Sequence, residues 1–164
     1  LNLSYANNRT YINDFVNGTC QIATPFHTGT PDPGQTDPNS PVCDRSGSTV
    51  SGSPENVAYI SAQKNFRAGS SASGFFRAEW THVGETQTGG DADPLKIREA
   101  FSIFNIRLAV LLEDQNTEIS VWKRNSGDTR FYESVFDVPV QDGKLMAYPH
   151  EPSTLGITIR KDFD

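Results

Sequence analysis

Residues 105–112 read NIRLAVLL, residues 117–125 read TEISVWKRN, and residues 154–163 read TLGITIRKDF. In the first, Ile106, Leu108, Val110 and Leu112 are apolar, with Arg107 and Ala109 between them. In the second, Ile119 and Val121 alternate with Glu118, Ser120, Trp122 and Arg124. In the third, Leu155, Ile157, Ile159 and Phe163 alternate with Gly156, Thr158, Arg160 and Asp162. Successive side chains of an extended chain point to opposite faces, so each stretch predicts a β-strand with one apolar and one polar face. A short polar turn, 113–116, joins the first two, and a long connection, 126–153, joins the second and third.

The same pattern recurs upstream. Leu1, Leu3 and Tyr5 alternate with Asn2, Ser4 and Ala6, predicting a strand over 1–7 that continues toward Phe15 through Tyr11. Ala58, Ile60 and Ala62 oppose Tyr59, Ser61 and Gln63 in a strand over 56–66. Phe76, Ala78 and Trp80 oppose Arg77, Glu79 and Thr81 in a strand over 74–83. With 102–112, 117–125 and 154–163 the expectation is an all-β, antiparallel meander of about six strands. Its connections alternate between long (16–53, 84–100, 126–153) and short (67–73, 113–116). The long ones, rich in Pro, Gly, Asp and Ser without periodicity, are expected to be strandless. In a meander every long loop then lies at one end and every tight turn at the other. Outer-membrane barrels keep that asymmetry, with short periplasmic turns and long extracellular loops. Charges at mid-strand, at Arg77, Glu79 and Arg107, suit a wet lumen and would be costly against lipid or in a dry core.

The bulk composition agrees. Hydrophobic residues make up 35% of the 164 residues, below the usual globular share, while turn formers abound. The net charge of −6 argues against nucleic acid as a partner. No apolar window is long enough for a transmembrane helix, which leaves membrane strands open. The chain opens inside an alternating segment, so it is expected to be part of a longer protein. Cys20 and Cys43 sit in a loop that offers no apolar pocket for a free thiol. A disulfide in an oxidising compartment is therefore expected.

Motifs for chemistry are sparse. His27, His82 and His150 fall on separate segments without metal-ligand spacing. The run from Gly89 to Pro94, GGDADP, has a faint calcium-loop look but lacks the spaced ligands and closing Glu, and a solvated turn is expected. Asn2, Asn8 and Asn17 begin glycosylation-acceptor triplets, which would carry no meaning if the chain were bacterial. No nucleophile–base order with a supporting motif occurs, and no enzyme activity or cofactor is expected. The ligand-contact candidates are Arg77, Glu79, Arg107, Trp122 and Arg124 on the strands and Lys96, Arg98 and Tyr148 on the loops. Arg160 shares the predicted polar face.

The runs NIRLAV (105–110), EISVWKRN (118–125), Asp128 and RFY (130–132) resemble the closing strands of TonB-dependent outer-membrane receptors. FDVPVQDG (136–143), YPHEP (148–152) and GITIRKDF (156–163) resemble that family's last loop and terminal strand. LSY (3–5), the Cys20…Cys43 loop and GSPEN (52–56) are similar to the preceding hairpin. Two departures stand out. Asp164 follows the aromatic Phe163, on which family members usually end and which the barrel-assembly machinery recognises. The segment from Arg124 to Asp128 lacks the apolar residue common between its Asn and Asp.

The resemblance implies the C-terminal part of a barrel of about 22 strands closed around a plug. It implies an outer-membrane location, with lipid, the remaining barrel and plug, TonB and the barrel-assembly machinery as partners. Loops and plug would capture a scarce ligand such as a siderophore-bound iron, and this segment would contribute wall and loops. The alternative expectation is a soluble, secreted β-sandwich acting as a binding module, for instance for glycans.

Overall fold

The computed structural model describes residues 1–22, 32–37, 39–40, 42–141 and 143–163. His27, Pro31 and Asp164 lie outside them. In chain order the elements are β1 (Asn2–Asn7), β2 (Gly18–Thr19), β3 (Val42–Cys43), β4 (Asn56–Arg67), β5 (Ala72–Val83) and β6 (Thr86–Gln87). A 3-10 turn (Pro94–Lys96) leads into β7 (Ile97–Arg98) and β8 (Phe101–Leu112). A second 3-10 turn (Glu113–Gln115) precedes β9 (Thr117–Arg124), followed by β10 (Tyr132–Asp137), β11 (Leu145–Pro149) and β12 (Thr154–Lys161).

The long strands form one antiparallel six-stranded sheet in the order β1-β4-β5-β8-β9-β12. The meander is as the alternation predicts, with strand ends shifted by a residue or two. The sheet is open, with β1 and β12 at its edges. The first strand stops at Asn7, and Tyr11 makes only an isolated bridge to Thr49.

The long connections are not strandless. Each carries a two-stranded antiparallel ribbon: β2 with β3, β6 with β7, and β10 with β11. Two of them are only two residues per strand, too short for alternation to show. In the third, the run from Tyr132 to Asp137 does not alternate cleanly, and the pairing shifts register between Tyr132 and Ser134.

Pairing register sorts the side chains. Phe76, Leu108, Val121 and Ile157 are successive partners across β5, β8, β9 and β12 and so share one face. Leu3, Ile60, Trp80 and Phe104 form a parallel row on that face. Gln63, Arg77, Arg107, Trp122 and Gly156 form a row on the opposite face. Among the described residues no second sheet covers the apolar face: the ribbons pair only within themselves, and Leu155, Ile157 and Ile159 are 71%, 70% and 69% exposed.

The usual distribution of polarity is thereby inverted. Among the described residues only Cys43 and Ala109 are buried apolar side chains, whereas Arg45, Asp91, Asp93, Lys96 and Asn125 are buried polar ones. The accessible surface is 10890 Å² for 18.0 kDa, against about 8,000 Å² for a compact globular chain of that mass. A water-soluble monomer hides such a face.

At the tight-turn end, Glu113 N donates to Ser71 O at 2.9 Å, tying the two turns together. Asn116 closes one turn in the left-handed region (φ 47°), where Asn is tolerated. Gly69 serves the other at φ 96°.

Candidate functional site

The polar face of the sheet holds three hydrogen-bonded groups, distributed over β4, β5, β8, β9 and β12. The Tyr59 hydroxyl on β4 donates to Glu79 Oε1 on β5 at 2.6 Å. Arg77, two residues earlier and on the same face, donates through Nη2 to that oxygen at 2.7 Å. On β8, Arg107 Nη2 donates to Glu118 Oε1 (2.6 Å) and Ser120 Oγ (3.1 Å) on β9. The Arg107 guanidinium also lies 5.8 Å from the centre of the Phe75 ring. Further along, Trp122 Nε1 donates to Thr158 Oγ1 on β12 at 3.0 Å, and the Arg124 guanidinium stands 4.8 Å above the Trp122 ring. Glu79, Asn105, Arg107, Trp122, Arg124 and Thr158 line an open cleft of about 330 Å³. The structure thus gathers five sequence candidates, Arg77, Glu79, Arg107, Trp122 and Arg124, on one surface.

The second assembly is at the loop end, where the three long connections meet. Gln21 Nε2 donates to Ala92 O at 3.2 Å and Gly52 N to Gln87 O at 2.8 Å, linking the first connection to the second. Thr88 Oγ1 donates to Lys96 O (2.7 Å) and accepts from Val135 N (3.1 Å), linking the second to the third. Asn125, buried with φ 45°, donates to Thr129 O (2.9 Å) and Glu151 O (3.1 Å) and so folds the third connection back on itself.

Two ion-paired clusters lie inside this assembly. Asp32 takes both Nη groups of Arg45 and the backbone N–H of Gln21 and Gly34. Arg45 Nε donates to Thr19 O at 2.9 Å. Burial pushes the Asp32 carboxyl up, but the Arg45 guanidinium and the two backbone donors outweigh it and hold the carboxyl below its ordinary range. Beside this cluster Cys20 and Cys43 form a disulfide, as expected, with Cα atoms 5.0 Å apart. Cys20, Asp32 and Cys43 are the one grouping of metal-ligand types among the described residues, and its two sulfurs are bonded to each other.

The second cluster is centred on Lys96, 2% exposed, whose Nζ donates to Asp91 and Asp137 and lies 3.9 Å from Asp93. Burial pushes the lysine down, while Asp137 and Asp91 raise it by more, so its pKa sits above the ordinary value. The GGDADP run is therefore no solvated turn. Asp91 and Asp93 are buried because Lys96 supplies the countercharge. Lys96 is enclosed and does not face solvent.

Arg98 is also largely enclosed, 5.1 Å above the Phe101 ring, with Nη2 donating to Thr86 Oγ1 at 3.1 Å. Phe131 stacks on Phe101 (3.7 Å) and His150 on Phe131 (4.3 Å), and His150 Nδ1 lies 2.6 Å from Glu133 Oε1. Tyr148 stands apart on β11, exposed, its ring 5.4 Å from that of Phe136. Phe163 follows β12, 84% exposed, with Lys161 Nζ 5.6 Å above its ring. His82 Nδ1 is 3.0 Å from Ser102 Oγ.

Sequence inspection placed Tyr59, Glu118 and Ser120 on the polar face without marking them as partners of the arginines. It missed the pairs made by Arg45 and Lys96. Charge was visible in each case, and alternation on the strands; which loop meets which was not.

The chain matches no protein-family model, no curated protein and no solved structure.

Proposed function

We propose that this chain is a C-terminal wall segment of an outer-membrane β-barrel receptor of the TonB-dependent type. It contributes lipid-facing strands and extracellular loops to the uptake of a scarce ligand. The observation that carries this reading is the apolar face, interrupted only near its ends by Lys64 and Lys123. It runs from Leu3 to Ile157 across the whole sheet, is uncovered, and is backed by a face of paired charges. In lipid that polarity is the stable one, since the hydrocarbon solvates the outer side chains and a wet interior solvates the inner ones. The exposed backbone edges of β1 and β12 would pair with the rest of the barrel. Lipid, the remaining strands and plug, TonB and the assembly machinery are partners in this reading. Catalysis plays no part in it. A soluble binding sandwich would need a second sheet over the apolar face, and none lies there among the described residues.

The chain carries its own probes. Its two tryptophans lie on opposite faces, Trp80 on the apolar one and Trp122 on the polar one. In vesicles with brominated acyl chains, a Trp122→Phe variant should lose most of its fluorescence by contact quenching. A Trp80→Phe variant should keep most of its emission. Equal quenching of the two, or recovery of the protein as a folded soluble monomer, sinks the proposal.

A further inference from the structure

Between the first and second long connections the loop assembly leaves a cleft of about 350 Å³. One wall is the stretch 8–11, just after β1, together with the end of the first connection at 47–55. The other wall is the second connection, at Glu85, Gln87, Ala92 and Ile97. Backbone hydrogen bonds frame the cleft without help from a ligand. Asn8 N donates to Glu55 O at 2.8 Å, Ile12 N to Ser48 O at 2.9 Å, and Gly52 N reaches across to Gln87 O at 2.8 Å. Tyr11 bridges to Thr49 in the first wall. A cleft built in advance is the usual state of a small-molecule site, and it lowers the ordering cost of binding.

The lining decides what would enter. Most ligand pockets are lined chiefly by hydrophobic side chains. This one is lined by neutral polar groups, those of Asn8, Thr10, Ser48, Thr49, Ser53 and Gln87. Hydroxyls and carboxamides both donate and accept, so they match a ligand covered in hydroxyls, which do the same. Gln87 is held in place by its own connection, giving Nε2 to Asp93 O at 2.9 Å and receiving Gly89 N on Oε1 at 3.2 Å. Apolar contact comes from Tyr11 and Ile97, which are 62% and 38% exposed. The negative face of an exposed tyrosine ring suits the C–H groups of a sugar ring. The charges argue against an anion. Glu55 and Glu85 stand there with one cation, Arg9, whose Nε is already given to Glu55 Oε1 at 3.0 Å. The volume lies at the small end of the range for ligand sites, which suits a short saccharide.

We infer that this cleft binds a neutral saccharide, with Tyr11 stacked on a sugar ring and Asn8, Ser48, Thr49 and Ser53 meeting its hydroxyls. The inference deepens the proposed function by naming the class of ligand that the loops capture. It rests on that reading for its place in uptake alone, since the cleft itself needs no lipid on the apolar face.

The test uses the full chain in zwitterionic detergent, labelled with carbon-13 in the tyrosine rings and nitrogen-15 throughout. Tyr11→Phe assigns the Tyr11 ring signal. Glucose, galactose, mannose, N-acetylglucosamine, maltose and cellobiose are titrated separately by NMR. Sorbitol, which has the hydroxyls without the ring, and citrate, an anion, are the controls. The Tyr11 ring should shift saturably with at least one sugar and ignore both controls, while Tyr132 and Tyr148 stay put. Thr49→Val removes one hydroxyl, and Tyr11→Leu removes the ring face. Each should weaken binding roughly tenfold, followed at the Gln87 side-chain amide. Slow hydrogen exchange of the Gly52 amide checks in each variant that the two walls are still joined. Tyr148→Leu, on the third connection, should bind as the parent does. No saturable shift with any sugar, or an equal shift with sorbitol or citrate, overturns the inference. Parent-like binding by both cleft variants overturns it too. Saccharide binding that persists when bromolipid quenching fails would retire the membrane reading and keep the site, and quenching without saccharide binding would do the reverse.

Discussion

The Trp122 ring lies flat across Gly156, its partner in the pairing of β9 with β12. A Cβ at residue 156 would stand 2.2 Å from Trp122 Cζ2, so no other residue fits beneath the ring as placed. The indole also donates to Thr158 Oγ1, which fixes the ring over the backbone. The apolar face repeats the device, with Phe66 packed over its partner Gly74. An aromatic ring over a strand glycine pins register where that glycine has no side chain of its own to pack.

Gly156→Val should therefore loosen the last strand. The expected cost is about 1–3 kcal/mol, the usual range for overpacking. Amide hydrogen exchange should quicken along β12 and leave β4 and β5 protected. Unchanged protection across β12 would show that the ring moves aside freely.

Lys96→Ala should unravel the loop end. Removing the lysine strips the enclosed Asp91 and the half-buried Asp137 of that countercharge, a change that costs about 3–5 kcal/mol when a buried pair is broken. Faster proteolytic cleavage within 84–100 and 132–149 is the expected readout. Lys96→Met, similar in shape but uncharged, should fail for the same reason, which separates charge from packing.

The loops should be labile in acid at a site set by Asp32. Its carboxyl is held below the ordinary value of 3.8, so its contribution is present above that value and lost as pH falls through the lower, folded-state pKa. Lys96 has the opposite sign. Its pKa is raised above 10.5, so its contribution is complete below 10.5 and lost as pH rises through the folded-state pKa. Exchange protection around the Cys20–Cys43 disulfide should drop in strong acid. Asp32→Asn should remove that acid limb and leave the alkaline one.

The two faces should differ in tolerance to charge. Val121→Arg puts a guanidinium at mid-strand on the apolar face and should cost about 2–4 kcal/mol in a lipid bilayer if it sits near the midplane. Asn65→Arg, on the polar face and exposed, should insert as the parent does. Partition between vesicle and supernatant fractions measures both. Equal partition of the two variants would count against lipid contact.

The sequence by itself determined the strands and their faces. Alternation between Ile106 and Leu112, and again between Leu155 and Ile159, needs only the twofold repeat of an extended chain. The order of long and short connections then fixed an antiparallel meander and gathered the loops at one end. Two cysteines in a loop without an apolar pocket were enough to foretell their bond. Pairings between segments distant in sequence came from tertiary structure alone. Register decided that Arg77 faces Arg107 rather than a carboxylate, because a slip by one residue turns every side chain to the other face. Loop packing decided that Lys96 is enclosed, because its carboxylates at Asp91 and Asp137 come from two different connections. The strand pattern is a local property of the backbone, whereas each charge takes its meaning from the partner that folding brings to it.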